Sequence, residues 1–326
     1  MPVPNYVPVK SMRILIVTPA PRGSRAGNRT TACRWARILR AEGHRVSVTV
    51  GYDGAPADLM VALHAWRSAD AVQRFREHCP DRPLIVALTG TDLYHFLRTD
   101  CEVTTRSMKL AHRLVVLHEA AIDTVPQPLR GKVRVILQSA DAFPERKPSP
   151  RRFDVCVIGH LRDEKDPLRT AYAVRNLPLQ SQLQVLHLGK AHTDAWAQAA
   201  RAEMAQNPRY RWRGEVPYRE VRRVFARSRL MVLSSRMEGG ANVISEAVVA
   251  GVPVIASRID GSVGLLGPGY PGYYPVEDTA ALTGMLLQAE RDPVFYARLQ
   301  DACALRAPLF DPQHERQAWR AVLAEL

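Results

Sequence analysis

The segment RMEGGANVISEAVVAGVPVIAS (residues 236–257) indicates the fold most directly. Its apolar spacing predicts a helix over residues 241–250 that ends at Gly251, followed at once by a strand over residues 252–256. A short apolar helix that runs straight into a buried strand is typical of an α/β domain with a parallel sheet. The segment therefore predicts at least one such domain in the second half of the chain.

Two carboxylates flank this helix, Glu238 before it and Glu246 on it, with seven residues between them. Gly239 and Gly240 have no side chains to keep a ligand away, and the free N–H groups of the first helical turn favour an anion. The segment therefore predicts a site for a ligand that carries a diphosphate. The alternative is that Glu238 is a solvated loop charge and that Glu246 belongs to a capping arrangement.

The same spacing resembles the ExxxxxxxE signature of GT-B glycosyltransferases. The resemblance implies that Glu238 contacts the donor sugar and that Glu246 accepts hydrogen bonds from the nucleotide ribose. It also assigns Gly239, Gly240, Ala241 and Asn242 to the donor site. The chain departs from the family at Gly240, where an aromatic residue is common, and at Ala241, where the family has glycine.

Strand and helix patterns alternate along the whole chain. Strands are predicted over residues 12–18, 46–50, 58–63, 84–88, 114–117, 133–137, 153–158, 183–188, 210–213, 230–233 and 252–256. Residues 141–152 contain three prolines and no apolar periodicity, which predicts a linker. The predicted fold is α/β of the GT-B type, with two Rossmann-like domains that face a cleft. The domains span residues 12–145 and 153–305, and the resemblance implies that a last helix, residues 311–326, packs back on the first.

Length and composition agree with this division, because 326 residues exceed the usual size of one domain. No apolar run is long enough for a membrane span, and the proline-rich start before Met12 lacks the apolar core of a secretion signal. Five scattered cysteines without a CxxC pair argue against a disulfide framework and a structural zinc site. We therefore expect a cytoplasmic protein.

The net charge of +13 admits three partners: small anionic substrates, an acidic membrane surface, or nucleic acid. The arginines are spread along the chain rather than collected in a block with stacking aromatics, which disfavours nucleic acid. No helix shows a clear cationic and apolar amphipathic face, so we expect no stable membrane association. The oligomeric state is left open.

A loop rich in Gly, Pro and hydroxyl groups, residues 18–31, follows the first predicted strand. Asn28 or Thr30 is expected to cap the next helix, while Arg25 and Arg29 add cations where the helix dipole already favours anions. This predicts an anion site on the acceptor side. A solvated turn with incidental arginines is the alternative.

Two further loops follow predicted strands of the first half. The segment LTGTDLY (residues 88–94) resembles the HGxD-like segment of the same superfamily and offers Thr91 for polar contacts. His64 and Arg67 follow the third strand and are further candidates for the acceptor pocket, although a lone histidine at a strand end is more often structural.

The segment VIGHLRDEKDP (residues 157–167) resembles the G-R-x-x-x-x-K loop that neutralises the donor diphosphate in GT-B enzymes. Lys165 falls on the family's lysine, His160 stands at the arginine position after Gly159, and Arg162 is a candidate replacement. Cations there would stabilise the leaving diphosphate, so Lys165, Arg162 and Glu238 are the predicted catalytic residues. The chain has no Asp-x-Asp pair, HExxH motif or His/Cys cluster, so we expect neither a metal nor a cofactor besides a UDP-sugar co-substrate.

The loops at residues 18–29, 88–94 and 237–246 together resemble the selenosugar synthases of selenoneine biosynthesis over nearly the whole chain after Met12. That family joins a UDP-sugar, typically UDP-N-acetylglucosamine, to selenophosphate with a carbon–selenium bond and releases UDP and phosphate. The resemblance implies selenophosphate as acceptor, held by Arg25, Asn28, Arg29, His64, Arg67 and Thr91. Two alternatives remain open: a GT-B glycosyltransferase for another anionic acceptor such as an acidic lipid, and a non-catalytic binder of anions or nucleic acid.

Overall fold

The computed structural model describes residues 11–326, so the predicted N-terminal tail lies outside the described residues. The chain divides into two compact units. The first runs to Ile136 and also takes Arg316–Leu326, and the second is Leu137–Glu315. No helix of the described part is long and apolar enough to cross a membrane.

The strands of the two units number six each within the described residues. Those of the first unit are β1 (Arg13–Val17), β2 (Arg45–Thr49), β3 (Leu59–Leu63), β4 (Leu84–Leu88), β5 (Arg113–Val116) and β6 (Val133–Val135). Those of the second are β7 (Phe153–Ile158), β8 (Leu183–Leu188), β9 (Tyr210–Trp212), β10 (Leu230–Leu233), β11 (Val254–Ser257) and β12 (Tyr273–Tyr274).

Helices connect most of these strands. They are α1 (Gly27–Ala41), α2 (Ala69–His78), α3 (Leu97–Thr99), α4 (Cys101–Leu110), α5 (Arg169–Arg175), α6 (Asp194–Gln206), α7 (Tyr218–Arg227), α8 (Asn242–Val249), α9 (Asp260–Leu266), α10 (Thr279–Arg291), α11 (Pro293–Arg306) and α12 (Pro312–Ala324). A π-helical turn, Asp92–Phe96, precedes α3, and a 3₁₀ turn, Asp163–Lys165, follows β7.

Both sheets are parallel and doubly wound, so the predicted α/β class with two Rossmann-like units is confirmed. The first sheet has the order β2-β1-β3-β4-β5-β6 and the second β12-β11-β10-β7-β8-β9. In the first, β1 pairs with both β2 and β3; in the second, β7 pairs with both β8 and β10. The strand order therefore reverses beside β1 and beside β7. Ligands of doubly wound sheets bind at the carboxyl ends of the strands at such reversal points.

The first sheet is buried on both faces, as parallel sheets require. Along β1, Ile14 and Ile16 belong to one apolar cluster, while Leu15 and Val17 belong to another, because successive side chains of a strand point to opposite faces. Every residue of β3 and β4 is buried. The second unit has a single large cluster built around its own sheet.

The end of the chain contributes to the core of the first unit. Trp319 of α12 is fully buried and meets Trp35 of α1 edge to face, with ring centroids 4.9 Å apart. At the last turn, the Glu325 carboxylate pairs with Arg113 and Arg134 of β5 and β6. Apolar burial and this ion-pair cluster together hold the terminal helix on the first sheet.

The residues assigned to a linker pack on the second unit. The main-chain N–H of Lys147 donates to Ala226 O at 2.7 Å, Arg146 reaches Gly251 O at 2.6 Å, and Phe143 meets Phe225 edge to face. The division between the units falls before this segment, at Leu137, so residues 137–145 lie in the second unit rather than in the first domain.

Candidate functional site

Two loops meet at the reversal point of the second sheet, one after β7 and one after β10. Glu238 in the β10 loop accepts hydrogen bonds from Lys165 Nζ of the β7 loop and from Ser235 Oγ, the latter at 2.6 Å. The Lys165 and Glu238 side chains are only 19% and 10% exposed. A poorly hydrated ion pair needs further hydrogen bonds, and Ser235 supplies one.

Main-chain contacts fix the two loops against each other. The N–H of Arg236 donates to Glu164 O at 2.8 Å, and Ser234 Oγ donates to Asp166 O at 2.9 Å. Asp166 has a left-handed backbone, with φ of 43°, and its carboxylate pairs with Arg169 at 2.7 Å. The position of Lys165 relative to Glu238 is thus set by contacts on both sides of Lys165 and by the segment that precedes Glu238.

The backbone of Glu238 also rests against α9. A Cβ atom on Gly261 would lie 2.4 Å from Glu238 O and 2.8 Å from Glu238 Cβ, closer than such atoms can approach. Only glycine fits at this position of the α9 first turn. Sequence reasoning missed Gly261, and only its place just after β11 could have drawn attention to it.

Gly159 is predicted to face the donor diphosphate, and a side chain of β8 hydrogen-bonds to its carbonyl oxygen. His187 Nε2 donates to Gly159 O at 3.0 Å, while Tyr210 OH donates to His187 Nδ1 at 2.9 Å. Complete burial lowers the pKa of His187 to about 4, which keeps the ring neutral and fixes this pattern. Gly189 is close to the same carbonyl, because a Cβ atom there would lie 1.8 Å from Gly159 O. His187 and Gly189 were also missed from sequence.

His160, at the family's arginine position, is a hydrogen-bonding group rather than a cation. Burial lowers its pKa most, and the charges of His192, Arg162 and Lys165 lower it further, against a raising effect of Glu215. Its Nδ1 accepts the N–H of Lys190 at 3.1 Å, which leaves the proton of the neutral ring on Nε2. Arg162 Nε lies 3.7 Å from Glu164 Oε2, so the guanidinium forms an ion pair with a neighbouring carboxylate.

The predicted helix at residues 241–250 is α8, with Ala241 at its start and Glu246 in its second turn. Gly239 is buried, while Gly240, Asn242 and Glu246 are half-buried. The negative charge of Glu246 adds to burial in raising the pKa of the Tyr218 phenol to about 12. Glu246 therefore lies in electrostatic range of Tyr218, at the start of α7, a residue that sequence reasoning did not consider.

In the first unit, the loop after β1 leads into α1 as expected, but the predicted cap is wrong. The helix begins at Gly27 with Ala26 at the cap position, and no side chain caps it. Asn28 and Thr30 lie inside the helix, because the chain turns into it before reaching them. Arg29 is in the first turn, and Arg25, just before it, is exposed.

The other acceptor candidates lie at the ends of β3 and β4, which are neighbours in the sheet. His64 is 1% exposed, and its Nε2 lies 2.8 Å from Thr91 Oγ1. Arg67 points its side chain to solvent, and its main-chain N–H donates to His64 Nδ1 at 3.2 Å. The structure thus brings His64 and Thr91 together within this unit.

The Asp92 carboxylate fixes the backbone at this edge of the sheet, and main-chain N–H groups occupy its oxygens. The carboxylate accepts the main-chain N–H groups of Gly90 at 2.7 Å, Thr89 at 2.9 Å and Ala65 at 3.0 Å. It ties the ends of β3 and β4 together. No group of three or more His, Cys, Asp or Glu side chains that could hold a metal ion occurs in residues 11–326.

The chain is similar to one protein family and to several solved structures. The family model described as glycosyl transferases group 1 matches residues 139–304. HepE from Anabaena, solved with UDP and glucose, superposes with a TM-score of 0.77 at 18% identity over 97% of this chain and 100% of that one. Sucrose-phosphate synthase from Thermosynechococcus elongatus superposes with a TM-score of 0.79 at 15% identity, covering 97% of this chain and 100% of that one.

A third solved structure is similar over a smaller share of its length. The pneumococcal O-GlcNAc transferase GtfA, in complex with UDP and GlcNAc, gives a TM-score of 0.63 at 15% identity, covering 91% of this chain and 60% of that one. At these identities the likeness concerns the fold. No curated protein sequence matches the chain significantly.

Proposed function

This chain belongs to the group 1 glycosyl transferases, and we propose from that premise that it transfers a sugar from a UDP-sugar to selenophosphate. The reaction forms a carbon–selenium bond and releases UDP and phosphate. The observation that supports a UDP-sugar donor is the ion pair between Lys165 and Glu238 at the reversal point of the second sheet.

Lys165 and Glu238 offer complementary chemistry to a sugar nucleotide. A lysine ammonium has three N–H donors, and Glu238 uses one of them, so others remain for the oxygens of a diphosphate. Glu238, in turn, accepts hydrogen bonds from hydroxyl groups of the sugar. His160 Nε2 and the N–H groups at the start of α8 add neutral donors to the diphosphate, and Glu246 accepts from the ribose.

UDP-N-acetylglucosamine is the first donor to test. The solved structures of HepE and GtfA hold UDP, the former with glucose and the latter with GlcNAc. The resemblance of this chain to the selenosugar synthases points to the same nucleotide. Arg162 assists Lys165 on the leaving diphosphate once the ligand draws it away from Glu164.

The acceptor assignment rests on the segments that resemble selenosugar synthases and on the cations around the first sheet. Arg25 and Arg29 lie where β1 leads into α1, at the reversal point of the first sheet. Guanidinium groups pair well with phosphate-like oxygens, and the helix start favours the same charge. A small, multiply charged acceptor fits this loop better than a neutral sugar.

The chemistry balances without a cofactor. A selenium lone pair attacks the anomeric carbon, the bond from that carbon to the UDP oxygen breaks, and UDP leaves with the electron pair. Water then cleaves the phosphorus–selenium bond of the product to give the selenosugar and phosphate. Since the nucleophile is already anionic, orientation and stabilisation of the leaving group supply the acceleration.

The test is anaerobic incubation of the protein with UDP-N-acetylglucosamine and fresh selenophosphate, without added metal. UDP release and product mass are followed together. We expect a selenium-bearing sugar to appear in step with UDP, and neither to appear when orthophosphate replaces selenophosphate. UDP binding without a selenium product would contradict the acceptor and direct the search to other anions, acidic lipids first. Failure to bind UDP would contradict the donor site.

A further inference from the structure

The imidazole of His64 has both nitrogens engaged inside the protein. Nδ1 accepts the main-chain N–H of Arg67 at 3.2 Å, so Nδ1 carries no proton. Burial lowers the pKa of His64 more than the charge of Asp92 raises it, so the ring is neutral. A neutral imidazole with a bare Nδ1 carries its proton on Nε2. His64 therefore donates to Thr91 Oγ1, 2.8 Å away, and does not accept from it.

The direction of this bond determines what Thr91 can do. Its oxygen is already an acceptor, and its own hydroxyl hydrogen has no acceptor among the residues that the structure describes. Thr91 is half-buried, so the hydroxyl remains reachable from outside. The result is an O–H donor at the carboxyl end of β4 whose orientation the histidine sets.

His64 has an unusual backbone conformation, and Asp92 fixes the chain next to both partners. His64 has φ of 76°, a left-handed conformation that costs free energy in residues other than glycine. Asp92 anchors the next residue, Ala65, and also Thr89 and Gly90, on either side of the bond. Phe96 packs edge to face on the imidazole, with ring centroids 5.7 Å apart. Such over-determined strain is typical of functional sites.

We propose that Thr91 donates its hydroxyl hydrogen to an oxygen of a phosphate-like acceptor, and that His64 is the positioning residue that orients it. The inference deepens the proposed function and rests on it for the identity of the acceptor. It also revises the expectation that His64 contacts the acceptor directly. Because β1 and β3 are adjacent strands, the arginine-bearing loop after β1 borders the same edge and supplies the charge.

Orthophosphate is the probe, titrated into the full-length protein and followed by phosphorus NMR with UDP at saturation, so that the diphosphate site is filled. Thr91→Val keeps the shape but removes the hydroxyl, and Thr91→Ser restores it. A hydrogen bond to a charged group predicts weakening by about 10-fold to 100-fold in the valine variant. We expect the serine variant to stay within about three-fold of wild type and UDP affinity to be unchanged in both.

The role of His64 is tested by His64→Asn, because asparagine tolerates a left-handed backbone and its shorter side chain does not reach Thr91. We expect phosphate binding to weaken as in Thr91→Val, and the double variant to be no weaker than Thr91→Val alone. Losses that multiply would mean that His64 contacts the anion itself and would overturn its positioning role.

Two results separate this inference from the proposed function. Phosphate binding that depends on Thr91 in a protein that makes no selenium product would refute selenophosphate as acceptor and leave the role of Thr91 standing. Wild-type phosphate affinity in Thr91→Val, or no phosphate binding by the wild type, would overturn the inference whatever the enzyme's product.

Discussion

At the scale of single residues, the candidate site depends on which groups remain available to a ligand. The Asp92 carboxylate accepts hydrogen bonds from main-chain N–H groups, and both ring nitrogens of His64 are hydrogen-bonded within the protein. Lys165 and Thr91, by contrast, each make one bond that leaves further donor hydrogens. The residues that support the backbone and those that we propose to contact a ligand therefore differ in their remaining hydrogen-bond capacity rather than in residue type.

Lys165 gives the sharpest prediction at this scale. In the proposed function, Lys165→Met removes a fixed cation that stabilises the leaving diphosphate, and loss of one such group costs about 100-fold to 1,000-fold in rate. We expect kcat/KM for the UDP-sugar to fall by about that factor and the fold to persist. Steady-state kinetics and circular dichroism check this, with Lys109→Met, an exposed lysine on α4, as the control. A variant within about three-fold of wild type would remove Lys165 from the catalytic role.

At the scale of elements, the loops at each sheet edge are set by the structure behind them. The β7 loop rests on β8 through His187 and Gly189, and the β10 loop rests on α9 through Gly261. These contacts join elements far apart in sequence, so we expect a change in the supporting element to displace the candidate site residues of the loop.

Gly261→Ala tests this dependence. The added methyl overlaps the Glu238 backbone, and overpacking of this kind costs about 1–3 kcal/mol. We expect a lower free energy of unfolding in urea and weaker UDP binding by calorimetry. Gly284→Ala is the matched control, because nothing lies within 4 Å of its added methyl on α10. Alanine inside a helix should raise stability there by about 0.5–1 kcal/mol. Equal effects of the two changes would contradict the close approach at Gly261.

At the scale of the whole molecule, each unit contains a buried histidine with a pKa far below the usual value, His118 in the first, which also buries His64, and His187 in the second. Burial lowers the pKa of both to about 4. The unfolded chain takes up the proton near pH 6.5, so the stabilising contribution is complete above that pH and is lost as the pH falls toward 4. Each unit should therefore be destabilised by mild acid.

We expect each of these histidines to lower the free energy of unfolding by about 2 kcal/mol when the pH falls from about 7.5 to about 5. Urea unfolding at the two pH values measures this for the wild type, His118→Gln and His187→Gln. The glutamine variants should show a pH dependence that is smaller by about that amount. His314→Gln, at an exposed position on α12, is the control. An unchanged pH dependence in both buried variants would refute the linkage.

The amino-acid sequence by itself determined the α/β class, four strands with the bounds that the structure has (Leu84–Leu88, Phe153–Ile158, Leu183–Leu188 and Leu230–Leu233), and the loops that carry the candidate residues. These features are local, because hydrophobic periodicity and Gly or Pro boundaries act over a few neighbouring residues. The contacts of Glu238 with Gly261, of Gly159 with His187, and of His64 with Thr91 were decided by the tertiary structure alone. Each joins separate strands or helices, and no spacing along the chain encodes which atoms of adjacent strands meet. The start of α1 was also not predicted correctly, since the helix begins at Gly27, before the residues whose side chains favour a cap.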